Sequence, residues 1–259
     1  MNTAEKQAWL IREMQKEMPR YANYPIPADE GSRWKLLRGL FNVRPPMPAS
    51  AEFLEIQGQL LREMTAEKGV TDHSSLKPCE SDGDLFVWQG DITTLCTDAI
   101  VNAANSGLLG CFRPNHSCID NMIHTMAGIE LRLKCAELME AQGHEEATGL
   151  AKLTPAYNLP SKYVIHTVGP IVDGPLTPEH CELLASCYCS CMDTAAAWNC
   201  GSIAFCCIST GVFGFPQHEA AEIAVKTVKN WKTKKNCGIK VIFNVFKNDD
   251  LEIYCQLLP

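Results

Sequence analysis

Nowhere in its 259 residues does the chain run through the roughly 20 uninterrupted apolar positions that a membrane-spanning helix needs. Its first residues, "MNTAEKQAWLIREMQKEM", alternate charge with apolarity and lack the apolar core of a secretory signal, so a cytoplasmic protein is expected. Positive charge is short as well. The 23 lysines and arginines against 30 aspartates and glutamates leave a net charge of −7, which argues against a broad phosphate-binding face for nucleic acid. Neither nucleic acid nor a membrane is expected as a partner. A phosphate-bearing ligand would have to be held by backbone N–H groups more than by lysines. There is no low-complexity tract, and with 46% hydrophobic residues the chain has enough apolar surface for a full core.

Cysteine, by contrast, is plentiful. The fourteen cysteines lie mostly in apolar runs such as "ASCYCSCMDTAAAW" and "IAFCCIST", and a chain of this size does not need disulfide staples. Most are expected to be reduced, buried small hydrophobes. One group stands apart: "GCFRPNHSCIDNMIH", residues 110–124, puts Cys111, His116 and Cys118 just before a helix. Two thiolates and an imidazole are good zinc ligands, and three protein ligands leave a fourth tetrahedral position open, as in catalytic sites. On spacing alone, chance proximity in a cysteine-rich chain is the stronger reading, whereas a disulfide would leave His116 without a role. His124 comes six residues after Cys118, about 240° round a helix, and should point away from the cluster as a helix-face residue.

Three helices are expected first, at about 3–18, 29–40 and 50–67, with Ser50 as an N-cap and Gly69 as a C-cap. Pro-rich breaks, "YPIPADEGS" and "RPPMPAS", separate them. The polar stretch 68–84 marks a boundary, after which strands alternate with helices. "LFVWQGDI", "DAIVNAAN", "KYVIHTVGP", "SIAFCCIS" and "IKVIFNVF" read as strands; "SCIDNMIHTMAGIELRLKCAELMEAQG" reads as one helix, with further helices at about 177–198 and 217–233 and a short final one. This alternation favours an α/β domain with a parallel or mixed sheet, whose ligand sits at the carboxyl ends of the strands.

Three loops after strands therefore matter. "STGVFGFP", Ser209 to Pro216, has the small residues that let consecutive N–H groups approach a diphosphate ahead of a helix, although an unliganded tight turn uses the same residues. "GDI" offers Asp91 as an acceptor for an adenine amino group, or as the cap of its own turn. "NAAN" ends in Asn105, which could bond ribose hydroxyls or simply cap a turn. His166, alone on an apolar strand, reads as structural.

"GDIT" at 90–93, "DAIVNAANSGLLG" at 98–110, "YVIHTVGP" at 163–170 and "IAFCCISTGVFGFP" at 203–216 come in the same order as in the macrodomain family, which this chain resembles from about Asp84 to its end. The resemblance implies a three-layer α/β/α sandwich with a mixed sheet, a macrodomain at 84–259 and an N-terminal helical extension at 1–70. It further implies ADP-ribose as ligand, with Asp91 on the adenine amino group, the Ile92 backbone beside it, and Asn105 on the distal ribose. Cys118, Ile119 and Asp120 would line the ligand, and the backbone of Ser209, Thr210, Gly211, Val212, Phe213, Gly214 and Phe215 would surround the diphosphate. Where many hydrolytic members carry a run of glycines into Val-Asp-Gly, this chain has "GCFRPNHSCIDN", with Asp120 in place of that aspartate. In this it is similar to a zinc-dependent, sirtuin-linked subclass of macrodomains. That similarity implies a hydrolase that removes mono-ADP-ribose from aspartate or glutamate esters, with Asn105 and Asp120 catalytic and zinc as cofactor. Whether the zinc polarises a ribose hydroxyl or activates water stays open. A mono-ADP-ribosylated protein, with a lipoylated carrier as one candidate, would be the partner. The alternative is a non-catalytic module that reads ADP-ribose.

Overall fold

The structure, a computed structural model, describes residues 1–259. Three helices lead: α1 (Thr3–Glu17), α2 (Glu30–Val43) and α3 (Ala51–Lys68). Each is started by a side chain that satisfies an otherwise orphan N–H: Asn2 in a capping box with Glu5, Asp29 on Ser32, and Ser50 on Phe53. α3 stops at Gly69, whose φ of 89° few other residues adopt.

The remainder alternates: β1 (Thr71–Asp72), β2 (Leu85–Gln89), β3 (Leu95–Cys96), β4 (Ala99–Ala104), α4 (Ile119–Ala127), α5 (Ile129–Gln142), β5 (Ala151–Pro155), β6 (Tyr163–Val168), α6 (Pro178–Ala197), β7 (Ser202–Phe205), α7 (Gln217–Lys235), β8 (Lys240–Val245) and α8 (Asn248–Leu257). Six strands form one sheet in the order β2-β8-β7-β4-β6-β5, parallel throughout except for β5 against β6; β1 and β3 make a small separate pair. The central strands are apolar on both faces: Ala99, Ile100, Val101, Val164, Ile165, Ile203, Val241 and Phe243 are fully buried, as expected of a sheet covered on both sides. α6 and α7 pack together on one face, and α4 and α5 lie on the other with α2 and α3 behind α4. This is the expected three-layer α/β/α arrangement. One hydrophobic core runs from Leu10, Leu37 and Leu60 of the N-terminal helices into the sheet.

Several details differ from the sequence reading. The single helix expected after "NHS" is two helices, broken at Gly128, whose φ is 96°. Tertiary contacts make the break: Gln57 of α3 accepts the Ile129 N–H at 3.0 Å and Asn158 donates to the Ala127 carbonyl at 2.8 Å, so both freed backbone groups find partners. The edge strand β5 is absent from the sequence reading, because "AKLTP" is short and carries a lysine and a proline that suit only an edge. The cysteines also differ in degree. All fourteen are free, but five are buried, most others are half-buried, and Cys255 is exposed. No helix is long and apolar enough to cross a membrane.

Candidate functional site

Because β2, β8, β7, β4 and β6 run parallel, their C-terminal ends open on one edge of the sheet. The loop after β7 is shaped there by two residues in the left-handed region, Ser209 (φ 66°) and Gly214 (φ 70°). The Phe215 N–H donates to Ser209 O at 3.0 Å and the Gly214 N–H to Gly211 O at 3.2 Å, closing the loop on itself; the Val172 N–H donates to Phe213 O at 2.8 Å and ties it to the segment after β6. The N–H groups of Gly211, Val212 and Phe213 donate to no protein acceptor. α7 begins immediately afterwards with Pro216 as its N-cap and no side-chain cap, so its first N–H groups point out of the same loop. Unpaired donors on a turn and a helix N-terminus make a nest for an anion. Two contacts fix its shape. A Cβ on Gly169 would come 2.1 Å from Ser209 Oγ, and one on Gly214 would come 2.9 Å from the Val172 carbonyl.

Asp91 lies just beyond β2 and caps a short turn. Its Oδ1 accepts from the Thr93 N–H at 3.0 Å and hydroxyl at 2.6 Å, while Oδ2 accepts from Lys68 Nζ at 3.0 Å. Burial would raise its pKa, but the Thr93 hydrogen bonds and the Lys68 charge outweigh that and hold it below the usual carboxylate value. Lys68, the last residue of α3, is missing from the sequence-based site; nothing local marks it, since its partner is 23 residues away. Ile92 is almost wholly buried in the core.

Asn105 and Asp120 are brought together. Asn105 accepts the Gly107 N–H at 3.0 Å and donates to Gly110 O at 3.2 Å and to Asp120 Oδ2 at 3.4 Å. From below, Asn102 Nδ2 donates one hydrogen to Asp120 Oδ1 at 2.8 Å and the other to His166 Nδ1 at 3.1 Å. His166 is therefore the neutral Nε2–H tautomer, donating at 3.0 Å to Thr154. Burial holds the His166 pKa down at about 4 and pushes Asp120 up to about 6, the latter against the Asn102 hydrogen bond and the Arg132 charge. His166 is fully buried. No local sequence signal marks it as the residue that orients the Asn102 amide beneath Asp120.

Cys118 is the N-cap of α4, one residue before its first turn. The donor atoms of Cys111, His116 and Cys118 all lie within 4.8 Å of one another, with Cys111 Sγ 3.7 Å from His116 Nδ1, and all three residues are half-buried. Burial pushes the Cys118 thiol up to about 11, and the nearby Cys111 and Asp120 add to the shift. His124 stays out of this set. It is buried rather than lying on an open helix face, with its ring against Gly110 and neither nitrogen hydrogen-bonded. It gathers instead with Cys135 and His166; since both His166 nitrogens are already engaged, that second group is not a ligand set.

Comparisons with known proteins give the family. The Macro domain family matches residues 101–224. A protein-ADP-ribose hydrolase of Treponema medium is 54% identical over 260 residues, covering all of both chains. Among solved structures, a Trypanosoma brucei macrodomain in complex with ADP-ribose superposes with a TM-score of 0.66 at 29% identity, over 82% of this chain and 92% of that one. An Oceanobacillus iheyensis macrodomain with ADP gives 0.60 at 40% identity, over 66% and 88%. With strand-end loops, an anion nest and a full-length relative all in agreement, the chain belongs to the macrodomain family.

Proposed function

We propose that the protein is a hydrolase that releases mono-ADP-ribose from modified protein side chains, with zinc held by Cys111, His116 and Cys118. One observation carries the reading: three metal-binding donors converge within 4.8 Å at the start of α4, whose first turn carries the buried Asp120 already joined to Asn105. The donor set fits zinc. A sulfur-to-nitrogen separation of 3.7 Å is close to the edge of about 3.5 Å in a tetrahedron with bonds of about 2.3 and 2.0 Å. When bound, the metal supplies a Lewis acid with one coordination position open to the substrate.

The chain's own residues do the rest. The free N–H groups of Gly211, Val212 and Phe213 and the uncapped start of α7 receive the diphosphate. Asp91 receives the adenine amino group on the carboxylate oxygen that Lys68 now occupies. Phe246, 77% exposed at the end of β8 beside β2, offers a ring for the base to stack on. Asn105 orients the distal ribose, and Asp120 accepts either a ribose hydroxyl or the proton of the attacking water. Hydrolysis adds water across the ester C–O bond and yields free ADP-ribose and a carboxyl side chain. Support for the activity comes from the Treponema medium relative, named a protein-ADP-ribose hydrolase. The aspartate or glutamate acceptor, and a lipoylated carrier as the modified protein, rest on the sequence resemblance alone.

The test is release of ADP-ribose from a mono-ADP-ribosylated protein, with and without a chelator. We expect release that is lost on chelation and restored by zinc. No release by metal-replete protein, together with tight ADP-ribose binding, would make it a reader module. Release that survives both chelation and Cys118→Ala would leave a hydrolase without zinc chemistry.

A further inference from the structure

The segment from Cys111 to Cys118 contains no helix or strand, yet its backbone is held from outside. Asn121, fully buried in α4, donates from Nδ2 to the carbonyls of Cys111 at 3.2 Å and Arg113 at 3.1 Å. Its Oδ1 accepts from Arg38 Nη2 of α2 at 2.8 Å, and the same nitrogen donates to the His116 carbonyl at 2.6 Å. One turn along α2, the buried Asn42 accepts the Asn115 N–H at 2.8 Å and donates to Thr125 at 3.0 Å. Asn115 itself sits at φ 55°, where the chain reverses between the first ligand and the second. Between the two α2 residues lies Gly39, where a Cβ would come 3.2 Å from the Asn115 side chain.

We propose that α2 belongs to the site and that Arg38 and Asn42 are positioning residues for the metal-binding loop. The proposal rests on the zinc reading of the Cys111, His116 and Cys118 cluster. Its physical basis is the connection between the two ends of the loop. Cys111 and His116 are joined through one relay, from the Cys111 carbonyl through Asn121 and Arg38 to the His116 carbonyl, so the spacing of two ligands is set by a side chain from the N-terminal helices. A loop without regular structure must otherwise lose its conformational freedom when the metal arrives. Partners that hold ligands from behind typically change metal affinity by about 10–100-fold when removed. Both bonds come from one nitrogen, Nη2, whose two N–H groups point in fixed directions within the guanidinium plane, whereas a lysine ammonium is a rotating point charge.

Two measurements on the full-length protein test this. The first titrates metal-free protein with Co2+ and reads the thiolate-to-cobalt absorption. The second tracks hydrogen exchange of residues 111–118 in metal-free protein. For Arg38→Ala we expect cobalt affinity to fall 10–100-fold, exchange at Asn115 and His116 to rise at least tenfold, and ADP-ribose affinity to stay within threefold. Arg38→Lys should recover part of the cobalt affinity, and Asn42→Ala, which removes the acceptor of the Asn115 N–H, should raise exchange at Asn115 at least as much while lowering cobalt affinity less. Should Arg38→Ala fold poorly, Asn42→Ala carries the test alone. Unchanged exchange in 111–118 overturns the proposal. So does a rise spread over the whole chain with loss of ADP-ribose binding, which would make α2 a general structural support. If the wild type develops no thiolate-to-cobalt band, the zinc reading falls, and the exchange of the metal-free loop still decides whether α2 positions it.

Discussion

The two loops at the carboxyl edge of the sheet are built on opposite plans. The 209–215 loop presents backbone: its open donors are the N–H groups of Gly211, Val212 and Phe213, and its shape depends on Gly169 and Gly214 having no side chain. The 111–118 loop presents side chains, two thiols and an imidazole, and depends on Arg38, Asn42 and Asn121 to hold its backbone. On the proposed function the diphosphate is the same in every substrate, and fixed backbone dipoles would suffice for it. Chemistry at the ribose needs polarisable donors at set distances, and those need supports drawn from elsewhere in the fold.

The sharpest way to break this comparison is Cys118→Ala, expected to lower the hydrolysis rate about 1,000-fold, or about 4 kcal/mol, while ADP-ribose affinity by calorimetry changes less than threefold. Equal loss of both would mean the loops are not separate in task. Next in size is the acid sensitivity of the layer beneath Asp120. His166 stays neutral in the fold down to about pH 4, against an ordinary value of 6.5. For this group the unfolded chain binds the proton first, so its contribution, about 3 kcal/mol, is lost as pH falls from 6.5 to 4, while buried His124 acts in the same sense and Asp120, raised to about 6, in the opposite one. The His166 share is the pH-dependent difference between the denaturant midpoints of wild type and His166→Gln across that range. Gly214→Ala sets a methyl against the Val172 carbonyl in a left-handed backbone; we expect ADP-ribose binding to weaken about tenfold, or about 1.4 kcal/mol, with little change in turnover at saturation. The smallest effect is Lys68→Ala. Its bond to Asp91 is partly exposed, so thermal melts should register less than about 1 kcal/mol. Because Asp91 titrates below its ordinary value of 3.8, that contribution should be present above about pH 4 and vanish as the carboxylate is protonated below it.

What can be read in the sequence is local. Ser50 and Gly69 bound α3, and the runs of Val, Ile and Phe around Ile100, Ile165 and Val241 announce buried parallel strands. The ligand loops are visible because small and amide residues come directly after those strands. The rest depends on partners distant in the chain. Gly128 breaks a helix because Gln57, 72 residues from Ile129, takes the freed N–H. Arg38 and Asn42 look like ordinary polar residues of an amphipathic helix; their partners lie 73 to 83 residues away. His124 has the spacing of a helix-face residue, but its direction is settled by Gly110, which leaves room for the imidazole to turn inward.

The N-terminal helices touch both ends of the candidate site: Lys68 reaches Asp91 where the base would lie, and Arg38 reaches the loop beside the ribose. They act as a brace across the opening, and a brace transmits load in both directions. On the proposed function, binding at either end and the docking of these helices would be thermodynamically linked: metal in the loop would tighten their attachment, while an adenine that took the place of the Lys68 ammonium on Asp91 would loosen one strut. Filling the two ends would then change in opposite directions how readily a protease cuts the N-terminal helices.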